Sequence, residues 1–159
     1  MSLLNNAKLV PAVTPFANGA VYLDTQVTNL ASPGFWPAAI AVGDQIQIGE
    51  VPAGAVLIPW LSNIQLPVLD SGPAGTLSVS LGTQATPAAL KATAAAEAAT
   101  NVPGSSLSAT ALIGDPVNPT PIYITATAAA VAAAQTGRIV ANLAFRAWRD
   151  DTDLGFQTP

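Results

Sequence analysis

The sequence predicts an all-β fold: a β-sandwich or jelly roll with one short helical insert and an extended N-terminal arm. Three observations lead there. Apolar and polar residues alternate with period two in several separate stretches, the pattern of half-buried strands. Turn clusters built from the chain's 12 glycines and 14 prolines separate those stretches. One segment, 86–99, breaks the β pattern and has the composition of a helix. About seven or eight strands joined in this way fit a sandwich or jelly roll.

Residues 1–19 carry Pro11 and Pro15 and show no periodic face, so they read as an extended arm. Leu3, Leu4, Leu9, Val10, Val13 and Phe16 make it too apolar for a solvated tail, and it is expected to lie on a neighbour. The sandwich domain spans 20–149, and 150–159 form an acidic C-terminal tail.

Within the domain, Val21, Leu23, Thr25 and Val27 share one side of the first strand, and Tyr22, Asp24, Gln26 and Thr28 share the other. Residues 31–41 hold Pro33, Gly34 and Pro37 and form a loop or broken strand. Gly43-Asp44 opens a strand with Ile46 and Ile48 inward and Gln45 and Gln47 outward, ended by a turn at 50–54. Val56, Ile58, Trp60, Ile64, Leu66 and Val68 then share a face that only Ser62 interrupts. Pro59 and Pro67 lack backbone donors, so this is an edge strand, or it breaks near Pro59 or Ser62.

A turn at 70–75 leads to a strand with Leu77, Val79 and Leu81 on one face. Thr86 as cap, Pro87 at the first helical position and an alanine-rich run then predict a short helix or helical turn over 86–99. Residues 101–108 read as loop and 109–113 as a short strand. Ile122, Ile124 and Ala126 define the next strand, and 128–135 fits either helix or β connection. In the last strand Ile139, Ala141, Leu143, Phe145 and Ala147 face in, while Arg138, Asn142, Arg146 and Trp148 face out.

Charge is the most informative part of the composition. Only 9% of residues are charged while 50% are apolar, against about 25% charged in an average domain. A surface this poor in charge is best explained by partners that cover it. The net charge is −4, and the one local basic group, Arg138, Arg146 and Arg149, is followed at once by acids. Nucleic acid is therefore not an expected partner. No run of about 18 apolar residues lacks a breaker, so no membrane-spanning helix is expected. The start of the chain lacks the features of a signal peptide.

Chemistry is sparse. The chain has neither cysteine nor histidine, which removes most nucleophile-activating pairs and most zinc and iron sites. No serine-hydrolase elbow, P-loop or dinucleotide fingerprint occurs. The acids Asp24, Asp44, Glu50, Asp70, Glu97 and Asp115 are scattered and mostly turn-associated, where a carboxylate satisfies local backbone donors. Asp150, Asp151 and Asp153 lack the spacing of a calcium loop and read as a solvated tail. No catalytic residue, cofactor or metal is expected. Trp60 falls on an apolar face and is expected in the core, whereas Trp36, in a loop, and Trp148, on an outer face, are interface candidates. With the arm residues Leu3, Leu4, Leu9, Val10 and Phe16 they form the candidate interface.

The run Val42 to Val56, with its Gly-Asp strand, Pro-Ala-Gly turn and long apolar strand, resembles small tailed-bacteriophage virion proteins. Leu77 to Thr83, the alanine-rich stretch after it, Ile122 to Thr127 and Thr136-Gly137-Arg138 are similar to that pattern too. The resemblance spans roughly residues 40–148. It implies a jelly-roll capsid decoration (cement) protein, a homo-oligomer, expected as a trimer, bound to the major capsid protein on the outer surface of the virion. Two alternatives share the fold class: a head fibre, tail or baseplate component, and a carbohydrate-binding adhesion module using Trp36 or Trp148 as sugar platforms.

Overall fold

The computed structural model describes residues 21–31, 37–108, 114–115 and 117–147. Period-two alternation does produce strands. They are β1 (Val21–Asn29), β2 (Gln45–Val51), β3 (Ala55–Leu57), β4 (Asn63–Leu66), β5 (Ser78–Gly82), β6 (Lys91–Ala95), β7 (Thr100–Pro103), β8 (Thr120–Ala126) and β9 (Arg138–Ala147). One sheet has the order β1-β9-β4-β7, with β3 also pairing β9, and the other has the order β2-β8-β5-β6. Every pairing is antiparallel.

The pairings nest. β1 pairs with β9, β2 with β8, β4 with β7 and β5 with β6. First meets last, second meets last but one, and so inward. This is the wrapped long hairpin of a jelly roll, with β3 and β4 as two parts of one strand.

The core lies between the sheets, where the inward alternate residues meet. Ile48, Val79, Leu81, Ile122 and Ile124 come from one sheet, and Leu57, Ile64, Leu143 and Phe145 from the other. The inward sets read from the sequence for β2, β5 and β8, and Ile139, Ala141, Leu143 and Phe145 of β9, are buried. The side chain of Ala147, the strand at 109–113, the arm and the acidic tail lie outside what the structure describes.

The long apolar strand takes the broken form. Leu57 lies opposite Phe145 and Asn63 opposite Asn142, so this strand advances six residues while β9 advances three. The surplus is the single 3-10 turn Pro59–Leu61. Pro59 has no N–H to give a ladder, so the strand leaves the sheet there. Ser62 repairs the break: it is 2% exposed, its hydroxyl donates to the Ile58 carbonyl at 2.8 Å and accepts the Ala144 N–H at 2.9 Å.

Two expectations are corrected. Trp60 is not core: the turn lifts it out of the strand, and it is 64% exposed beside the half-exposed Leu61. The helical insert is also absent. Residues 86–90 form a tight reversal in which the Thr86 carbonyl accepts from both Thr83 and Ala89 N–H groups, and the chain re-enters the sheet as β6. Leu90 N–H then bonds the Leu81 carbonyl and Ala96 N–H the Leu77 carbonyl. Burial of Leu90, Ala94 and Ala96 outweighs the weak helix preference of alanine. Residues 100–103, at the edge of the 101–108 loop reading, form β7.

Candidate interaction surface

β1 obeys the alternation but turns its apolar side outward. Val21, Leu23 and Val27 are 47%, 76% and 41% exposed. Tyr22, Asp24 and Gln26 are half-buried and Thr28 is buried, facing the second sheet. Polar side chains are accommodated there because Gln26 finds partners. Its amide oxygen accepts the Glu50 N–H at 2.7 Å, and its amide nitrogen donates to the Glu50 carbonyl at 3.1 Å and the Asp24 carboxylate at 2.7 Å. A side chain of β1 thus binds the backbone of β2 as a strand would, joining the two sheets along one side. Gly49 leaves room for it, since a Cβ there would collide with the Gln26 amide oxygen.

The outward face of the β1 sheet can be read row by row from its register. Val21 is level with Arg146, Leu23 with Ala144, Thr25 with Asn142, Val27 with Val140 and Asn29 with Arg138. Farther across, Asn142 is level with Asn63, and Asn63 with Pro103. Thr25 donates to Asn142 at 2.8 Å, and Asn142 donates to Asn63 at 2.9 Å. An uncharged polar ladder therefore crosses the face between two apolar rows. Arg138 and Arg146 sit at its two ends, eight residues apart along β9, which is roughly 27 Å of strand. These two arginines are thus dispersed rather than gathered into a patch.

Four of the described acids accept backbone N–H groups. Asp44 accepts the Ala41 N–H, Glu97 the Ala96 N–H, and Asp115 those of Val117 and Asn118. Asp70 is 2% exposed and accepts five N–H groups, from Gly72, Thr76, Leu77, Val131 and Ala132. It ties the β4–β5 connection to the β8–β9 connection at one end of the sandwich. Burial pushes its carboxyl up, but the Ala132, Val131, Gly72 and Thr76 donors outweigh that and hold it well below the usual carboxylate range. The Asn118 and Val117 N–H groups lower Asp115 against a smaller desolvation.

An open groove lies beside β6, lined by Leu90, Lys91, Thr93, Ser106, Leu107 and their neighbours. Among the described residues no three His, Cys, Asp or Glu side chains gather as a metal cage, and no helix is long and apolar enough to cross a membrane. Leu3, Leu4, Leu9, Val10, Phe16, Trp36 and Trp148 all lie outside the described residues. The surface on view is therefore one that sequence reasoning did not single out: Val21, Leu23 and Val27, together with Trp60 and Leu61. Alternation in β1 was plain in the sequence, but alternation alone does not say which side faces the core.

No known protein-family profile matches the sequence, and no curated protein matches it. Solved structures do match by fold. One is a chain of the cyanophage Pam1 capsid asymmetric unit, with a TM-score of 0.54 at 16% identity, covering 89% of this chain and 94% of that one. Another is a chain of the capsid of Ralstonia phage GP4, with a TM-score of 0.58 at 22% identity, covering 86% of this chain and 90% of that one. Over nearly its whole length, then, this chain shares its jelly-roll fold with chains from the capsids of two bacteriophages.

Proposed function

We propose that this chain is a structural protein of a bacteriophage virion, a decoration or cement protein that assembles with itself and with the major capsid protein on the outer surface of the head. It acts by surface burial rather than by catalysis. The observation that carries this reading is the pairing of a fold shared with phage capsid chains with an outer sheet face that presents Leu23 at 76% exposure and charges only at its ends. An isolated domain gains nothing from displaying such a face, whereas an assembly removes it from water. The apolar arm 1–19 enters β1 directly and supplies a second contact, laid on the capsid or on a neighbouring subunit.

The test is reconstitution. Purified chain is mixed with phage heads stripped of it, and co-sedimentation is measured alongside the native mass. Saturable binding and a trimeric mass are the expected results. Removal of residues 1–19 should weaken attachment while the sandwich still folds. A monomer without affinity for any head would refute the reading.

A further inference from the structure

β6 is the outermost strand of its sheet, paired on one side with β5. The ladder shows which of its backbone groups face out. Ala96 N–H bonds the Leu77 carbonyl and Ala94 stands opposite Val79, so Ala94 and Ala96 turn their amides toward β5. Thr93 and Ala95, at the alternate positions, turn theirs away from the sheet, and no described loop bonds them. Sheets blunt such an edge with proline, a charge in mid-strand or a covering segment. β6 has no proline, and its exposed Ala92, Thr93 and Ala95 are small and uncharged. The open groove leaves room along the strand at its Lys91 end, where Ser106 and Leu107 form the other wall.

The charges stand at the two ends of this edge, Lys91 at one and Glu97 at the other. That spacing is complementary to itself. Two copies of β6 running antiparallel about a two-fold axis at Ala94 set Thr93 of each opposite Ala95 of the other. The outward amides and carbonyls of both strands then meet in hydrogen-bonded pairs. The same register sets Lys91 of each copy opposite Glu97 of the other, so two opposite-charge pairs flank the contact. Glu97 gives one carboxylate oxygen to the Ala96 N–H, which leaves its second oxygen for the ammonium group. A shift of the register by two residues would break both pairs.

We propose that β6 is a contact between copies of this chain, in which two β6 strands pair antiparallel about Ala94 and Lys91 and Glu97 set the register. The contact joins the β2-β8-β5-β6 sheets of two copies edge to edge and leaves the outer face of the β1 sheet uncovered. A strand of five residues buries far less than the roughly 1,200 Å² of a standard interface. The pair is therefore a lateral link between copies held close together. It does not rest on the virion reading, and it is tested without phage heads.

The absence of cysteine allows disulfide trapping. Opposed Cα atoms in a hydrogen-bonded pair lie about 5.5 Å apart, within reach of a disulfide. Thr93→Cys and Ala95→Cys chains, mixed at high concentration under mild oxidation, should form the mixed dimer several-fold faster than Thr93→Cys with Val131→Cys, an exposed site in the β8–β9 connection. Lys91→Glu in both chains should lower the rate to that of the control. Lys91→Glu together with Glu97→Lys in both chains should restore it, because the charges are exchanged and the pairs re-form. A rate equal to the control, as expected if β6 seats a strand of another protein, would overturn the proposal. So would a rate indifferent to Lys91→Glu, or no recovery in the doubly reversed chains.

Discussion

Asp70 and Ser62 show how much a single buried polar group can hold in a fold of short strands. Asp70 gathers five N–H groups from two connections. Because the folded carboxyl is held below its ordinary value of 3.8, its contribution is complete above about pH 4 and is lost as pH falls through the folded value. The protein should therefore lose stability from about pH 4 down past pH 2. Asp70→Asn should lower the thermal midpoint at neutral pH more than Asp115→Asn does, and should flatten that acid limb. Melting curves at pH 7 and pH 3 check both. Ser62→Ala makes the apolar alternation of its strand more regular, yet it strands the Ala144 N–H and the Ile58 carbonyl. It should cost about 1–3 kcal/mol in urea unfolding.

At the scale of elements, the side-chain bridge from β1 to β2 is the least conventional join. Gln26→Ala removes two hydrogen bonds to Glu50, and Gly49→Ala pushes into the same amide. Each should destabilise by about 1–2 kcal/mol, and the double mutant should cost clearly less than the two together, because they break one connection. A double-mutant cycle in urea measures this. The same scale shows what the sequence does and does not disclose. β2, β5, β8 and β9 were legible because their large apolar residues alternate onto the core side, so period two maps onto the core even where Ser80, Thr125 and Ala144 on the other side are buried too. β6 was hidden by alanine, whose local preference for helix yields to pairing with β5. Trp60 misled because position in an alternating run says nothing of a three-residue excursion that Pro59 starts. The outward turn of β1 was hidden because the partner of Gln26 is a backbone 24 residues away. The arm residues are read as contacts from their apolarity, and head binding tests them.

For the whole molecule, fold and assembly make separable demands on apolar residues. Phe145 is 1% exposed between the sheets and Leu23 is 76% exposed outside them. Phe145→Ala should remove about 3–5 kcal/mol of stability, and any loss of binding would follow from unfolding. Leu23→Asp with Val27→Asp should change stability little, within about 0.5 kcal/mol for each site. A surface that served only as tolerated exposure would leave head binding and oligomeric mass untouched by that pair. A surface built for assembly would lose both, because two desolvated carboxylates in a packed interface cost far more than the apolar contacts they replace. Co-sedimentation with stripped heads, run beside urea unfolding of the same double variant, therefore separates a jelly roll that merely shares the capsid fold from one whose outer sheet is its working face.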